Sequence, residues 1–381
     1  MKNKNKLAKY QMIKFMDFCE VWFLPESVAR VAAIVGENIK KYITSSPIIY
    51  CFDDNNIYTD DGVRKAVKEE MHFFKQVGGC TIVDNGSIGL RAKDQVQFLT
   101  TVSKETGVNV VTGTGFYVVF AQSQSVLSMK VEEMAAKIRD DILNGIDGTG
   151  VKCGVIGEIG CSWPLADFER KSLVSSAIVQ EETGCPVIIH PGRDKQSPEE
   201  IFRVFAEAGG KLGHTVMSHL ERTLHTEQDL AEFASMGSYC EFDLFGIEVS
   251  YYQHNEDIDM PSDAQRIRRL HYLIQEGFGH KIVIGHDIHT KHRLMKYGGH
   301  GFSHIIANVV PNMKRRGFSE DDIRKILIDN PRKWLTFENF RRSHNDLRPF
   351  VVILNFENYF TKLYLKMYTF ITSVQKENKL K

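Results

Sequence analysis

The sequence predicts an α/β fold, a (β/α)8 TIM barrel with a degenerate first strand and a C-terminal extension. Three observations predict it. From about residue 63 onward, apolar strand-like runs alternate with amphipathic helical stretches, the pattern of repeated βα units on a parallel sheet. The 381 residues accommodate a barrel of roughly 250 residues plus extensions without a second core. Four of the apolar runs end in a metal-ligand residue: GVIGEIG at Glu158, PVIIHPG at His190, TVMSHLE at His219 and KIVIGHD at Asp287. Strands of this kind are buried on both faces and carry their chemistry at the C-terminal end.

The elements follow in order. Residues 1–62 are an atypical N-terminal segment that holds the degenerate first strand, and the run between Ser45 and Phe52 is its best apolar stretch. A helix is predicted over 63–77, where Val67, Met71 and Phe74 share one face, followed by a strand at 80–83. Next come a helix over 92–105, a strand at 108–112, and a helix over 131–143 that leads to the Glu158 strand. A helix over 167–182 leads to the His190 strand. Ser197-Pro198-Glu199-Glu200 reads as an N-cap with Pro in the first turn, opening a helix that ends near Gly209. After the His219 strand come a helix near 228–235, a strand at 238–243, a helix near 263–276 and the Asp287 strand. A closing helix begins over 319–327, with Asp321 and Asp322 suited to its first turn. The barrel therefore spans 63–337. Residues 338–381 are an aromatic and basic tail, read as an appended helix or poorly ordered extension, or alternatively as a contact for a partner or a homodimer.

Composition excludes several classes. Lys plus Arg and Asp plus Glu both number 48, so no global field draws nucleic acid or an anionic membrane. No run approaches the ~20 apolar residues of a membrane span, and Asp17 and Glu20 interrupt the stretch that a secretory signal would need. The seven cysteines are odd in number, lack a C-x-x-C pair and fall largely in apolar runs, which points to reduced thiols and the cytosol. No G-x-S-x-G elbow and no P-loop occurs, which removes a serine esterase and a nucleoside triphosphatase.

The four strand-end residues define the chemistry. A single histidine after an apolar run is usually a hydrogen-bonded structural residue, and a strand-end carboxylate often caps the next helix. Glu158, His190, His219 and Asp287, each on its own strand, reverse that reading. Imidazoles and carboxylates of this kind hold divalent cations, which acidify a bound water toward neutrality. Glu158 bridges two ions in this reading, His190 and His219 complete one of them, and Asp287 binds the other and accepts a proton from the attacking water. Arg193, Arg222, Asp243, Lys291, Arg293 and Tyr297 are the candidates that face an anionic small-molecule substrate. His286 falls on the opposite side of its strand from Asp287 and reads as structural, whereas His289 reads as a support for the ligands. Gly113 to Tyr117 reads as a tight turn at the barrel top. A barrel nuclease with a similar site is an alternative, against which the balanced charge weighs.

GEIGCSW, IIHPGR, MSHLER and HDIHTKHRLMKYGGHG resemble the phosphotriesterase-related branch of the amidohydrolase superfamily, over about 63–337. The resemblance implies a (β/α)8 barrel, two divalent ions per subunit, usually zinc (Zn2+), and hydrolysis of an ester or amide. In this branch a glutamate replaces a carbamylated lysine, and Glu158 stands at that position; His190, His219 and Asp287 match the other motifs. The resemblance to its animal members implies amide hydrolysis of small N-acyl amino sulfonates or amino acids, with N-acetyltaurine as the leading substrate. Phosphotriester, carboxylester or lactone hydrolysis is the alternative. The family also has a His-x-His pair on the first strand, just before a Met-x-Phe string. Met16-Asp17-Phe18 matches that string here and puts Gln11 and Ile13 at the histidine positions, which leaves one metal short of ligands. A divergent or alternative first exon, a misannotated start, or a catalytically impaired barrel that now binds a ligand or partner each accounts for the departure.

Overall fold

The computed structural model describes residues 61–249, 252, 255 and 258–337. The N-terminal segment, with Gln11, Ile13 and the expected first strand, and the C-terminal tail lie outside the described residues. The first half of the described chain comprises α1 (Asp61–Gln76), β1 (Thr81–Asp84), α2 (Gln95–Thr106), β2 (Asn109–Thr114), the short α3 (Gln124–Leu127), α4 (Val131–Leu143), β3 (Val155–Gly160) and α5 (Asp167–Thr183). It continues through β4 (Val187–His190), α6 (Ser197–Glu207), β5 (Thr215–Met217), α7 (Leu220–Thr223), α8 (Glu227–Ser235), β6 (Tyr239–Phe242), α9 (Asp263–Gln275) and β7 (Ile282–Ile284). It closes with α10 (Val310–Arg315), α11 (Glu320–Arg324) and α12 (Asn330–Trp334). The seven strands pair in parallel in strict chain order, β1 through β7, as in a (β/α)8 barrel.

Each strand alternates between two cores. Ile156, Ile189, Met217, Cys240 and Ile282 pack outward on helix residues such as Met134, Ile138, Leu173, Ile201, Phe205 and Leu270. Val155, Ile188, Val216, Tyr239 and Val283 form a separate cluster inside the sheet with Trp334 of α12. Trp334 closes that end, because its Nε1 donates to the Val187 carbonyl at 3.2 Å. Burial on both faces explains why these strands read as unbroken apolar runs. Local signals set the helix ends: Ser262 caps α9, Ser319 caps α11, and Gly107 and Gly184 end α2 and α5 in the left-handed region that glycine tolerates.

Three expectations need correction. Ser197 is the first residue of α6 rather than its cap, since its hydroxyl accepts from the Gly192 amide at 2.9 Å and so closes the loop that follows His190. The strand before Asp287 stops at Ile284, so Asp287 sits in the loop three residues beyond β7. The closing helix is likewise interrupted, and α11 passes into a π-helical turn at Lys325–Asp329.

Candidate metal centre

Glu158 reaches the interior through a fault in β3. Strict alternation would put it on the helix-facing side with Ile156, but the β3–β4 register shifts between Ile156 and Ile159. Gly157 absorbs that shift at φ +134°, where a Cβ would meet the Ile188 carbonyl oxygen at 2.2 Å. Only glycine fits both the conformation and the space. The Glu158 amide donates to the Asn85 carbonyl at 2.9 Å, which fixes the bulge against the end of β1.

His190 needs no such device, because it lies two residues beyond Ile188 and shares its face. His219 does need one. Met217 faces the helices, and the chain then turns so that His219 takes φ +56°, an uncommon value for a residue with a Cβ. That turn swings the imidazole inward and starts α7. The structure thereby brings Glu158, His190 and His219 together, with one ligand atom from each within 4.8 Å of the others and all three side chains buried.

The trio is tightly coupled. Glu158 Oε1 is 3.1 Å from His219 Nε2, and Oε2 is 3.5 Å from His190 Nδ1. The two imidazole nitrogens are themselves 2.9 Å apart. His219 Nδ1 donates to Asp243 Oδ1 at 2.7 Å, and the Tyr117 hydroxyl lies 3.3 Å from His190 Nδ1. Burial pushes the Glu158 carboxyl up, but the two imidazoles outweigh it and hold Glu158 well below the usual carboxylate range. Burial pulls His190 down to about 3, against the opposing pull of Glu158. Burial also lowers His219, yet Asp243 and Glu158 overcome it and hold that imidazole well above its ordinary value. One carboxylate and two imidazoles converging in a buried pocket are the donor set of a divalent cation such as zinc, and the residues present fit one.

Asp287 is not brought into this trio. It sits at φ +49°, and its carboxylate is held from the loop side. Arg293 Nη1 donates to Asp287 Oδ2 at 3.1 Å and also to the Asp287 carbonyl, while His289 Nδ1 is 3.3 Å from Oδ1. Burial raises the Asp287 carboxyl, but His289 and Arg293 outweigh it and keep it well below its ordinary range. His289 therefore supports Asp287. His286 points the other way, accepts from the Ile305 amide at 3.1 Å and stacks on His300.

The substrate candidates divide into groups. Arg293 pairs with Asp287, and Asp243 pairs with His219. Arg193 Nε donates to the Tyr252 hydroxyl at 2.8 Å. Lys291 is half-buried, and Tyr297 is exposed with Lys296 over its ring. Arg222 is buried against His190, whose Nε2 is 3.4 Å from Arg222 Nη2.

Two residues that bear on the site were not singled out from the sequence. Tyr117 lies three residues beyond β2, at the same end of the sheet as the ligands, and that position was the available signal. Glu241 on β6 is buried, and among the described residues its Oε2 has no hydrogen-bond partner. Burial, and then Asp243, raise its carboxyl well above the ordinary value. Glu241 shares a strand face with Tyr239 and the candidate Asp243, so alternation along β6 could have found it.

The phosphotriesterase family model matches residues 32–335, a span that begins after Met16-Asp17-Phe18. N-acetyltaurine hydrolase of Salmo salar is 52% identical over 273 residues, covering 72% of this chain and 78% of that protein. N-acetyltaurine hydrolase of Homo sapiens is 51% identical over 274 residues, with the same coverage. Among solved structures, a resiniferatoxin-binding protein from Rhodobacter sphaeroides superposes with a TM-score of 0.70 at 30% identity, over 79% of this chain and 86% of that one. A phosphotriesterase homology protein from Escherichia coli, complexed with phosphate in its active site, gives 0.65 at 26% identity, over 74% and 92%.

Proposed function

The chain belongs to the phosphotriesterase family, and from that premise we propose that it hydrolyses the amide bond of small N-acyl amino sulfonates or amino acids, N-acetyltaurine foremost. The observation that carries the reading is the buried Glu158, His190 and His219 trio at the strand ends of a barrel that is half identical to N-acetyltaurine hydrolases. The family is metal-dependent, and the donor set suits zinc. Glu158, His190 and His219 would hold such a cation, which would supply Lewis-acid polarisation of the amide carbonyl and a more acidic attacking water.

The protein's own residues do the rest. Asp243 holds His219 by Nδ1, so the ring presents Nε2 to Glu158 and cannot rotate away. Tyr117 braces His190 from the β2 side. Asp287, kept ionised by Arg293 and His289, is the proton acceptor for water and then the donor to the leaving amine. Burial of the trio excludes bulk solvent, which strengthens each of these interactions. The five described free cysteines, four of them buried, fit a cytosolic enzyme. Among the described residues no helix is long and apolar enough to cross a membrane.

The test is bound metal per chain on the purified full-length protein, together with taurine release from N-acetyltaurine. The expected result is stoichiometric divalent metal with turnover, both lost in His219→Ala. Turnover of a lactone or phosphotriester but not of N-acetyltaurine would replace the substrate assignment. Metal-free protein without turnover would identify an impaired barrel.

A further inference from the structure

We infer that Arg222 receives the acidic end of the substrate, and that this residue makes the enzyme selective for amides whose amine half ends in an anion. The inference rests on the amide-hydrolase reading above and concerns the selectivity of the same site. Arg222 is 3% exposed, buried like His219 at 3% and His190 at 5%, and it borders the trio through the His190 ring. Among the described residues its hydrogen-bond partners are neutral: Nη1 donates to Thr223 Oγ1 at 3.3 Å, Nη2 donates to the Pro191 carbonyl at 3.2 Å, and Nη2 lies 3.4 Å from His190 Nε2. It forms no ion pair with a described carboxylate.

A guanidinium stays charged inside a protein, and a buried charge without a counter-ion is costly unless something supplies the missing anion. Arg293 is neutralised by Asp287, and the fully buried Arg266 is met by Glu221 and Asp263. Arg222 is the buried arginine of the site whose described partners leave its charge uncompensated. A single imidazole ring, that of His190, separates it from the point where the trio converges. That separation suits a short spacer, such as the two carbons between the amide nitrogen and the acid of N-acetyltaurine. The planar guanidinium matches a sulfonate or carboxylate through paired N–H donors.

The test is the ratio of kcat/KM for an acid-ended amide to that for a neutral one of similar length, measured in wild type, Arg222→Gln and Arg222→Lys. The acid-ended substrates are N-acetyltaurine and N-acetyl-β-alanine, and the neutral one is N-ethylacetamide. In Arg222→Gln the ratio is expected to fall about 100-fold for both acids, as for loss of one partner of a buried charge pair. Arg222→Lys is expected to fall between the two. An unchanged ratio, with all three substrates slowed alike, would overturn the inference and make Arg222 a support for His190. Calorimetric titration with ethanesulfonate separates this outcome from a wrong reaction assignment. Binding in wild type that is lost in Arg222→Gln upholds the anion site even if no amide is turned over. No binding in wild type, or equal binding in both, rejects it. If Arg222→Gln does not fold, Arg222→Lys carries the titration, with binding weakened about 10-fold expected and undiminished binding counting against the paired contact.

Discussion

The two sides of the barrel mouth hold their functional residues by different means. On the β3 to β5 side, Glu158 lies within β3, His190 ends β4, and His219 follows β5 by two residues in a left-handed turn, so the strands and the turn that leaves them set their positions. On the β7 side, Asp287 stands in a loop three residues past the strand and is placed by side chains, Arg293 and His289 in front and His286 behind. A sheet is stiff and close-packed, so the trio's geometry is a property of the backbone. A loop residue held by a salt bridge and a ring stack is more adjustable. The difference suits the roles proposed: a cation needs fixed ligand geometry, whereas a proton carrier must change its partners during the reaction.

The largest test of this contrast is Gly157→Ala. A Cβ at that position collides with the Ile188 carbonyl and demands a positive φ, so the bulge must relax and Glu158 must leave the trio. The expected result is destabilisation of about 2–3 kcal/mol in a denaturant titration, with bound metal lost. Retained metal at full occupancy would mean that the sheet does not dictate the position of Glu158.

A smaller effect is expected on the loop side. Arg293→Gln removes the guanidinium that stabilises ionised Asp287, so the Asp287 pKa rises and the acid limb of the kcat–pH profile moves to higher pH. The metal stays bound, and kcat falls about 10-fold on the acid side of the profile. An unmoved acid limb would remove Asp287 from the role of proton acceptor.

The smallest effect concerns the anchor behind Asp287. Burial pulls His286 down to about 3, with His300 and His304 adding to it. The folded protein keeps this ring neutral while the unfolded chain takes up a proton near the ordinary histidine value of about 6.5. Stability is therefore highest above that value and falls as pH drops toward 3. His286→Leu removes this proton-linked contribution. The prediction is a melting temperature that falls less between pH 7.5 and 5.5 in the variant than in wild type. Equal slopes would mean that His286 adds no pH dependence.

Much of the molecule was legible in the chain. The βα alternation, the ends of α4 and α5 to within a residue, and the four ligand-type residues follow from apolar periodicity and glycine or serine signals, all of which are local. Arg222 and Asp243 were candidates, but their partners were not legible, because each meets a histidine on a neighbouring strand far away in sequence. Tyr117 was hidden in a glycine-rich turn whose conformation, rather than its composition, aims the hydroxyl at His190.

The sequence by itself determined which strands exist, their order and the residue types at their C-terminal ends, because periodicity and charge are written in the chain. The direction those residues face was decided only in the folded sheet. By alternation alone Glu158 would lie with Ile156 and His219 with Met217, on the helix side and away from His190. The bulge at Gly157 and the left-handed turn at His219 reverse both. Each is a backbone choice that neighbouring strands stabilise, so no local signal specifies it.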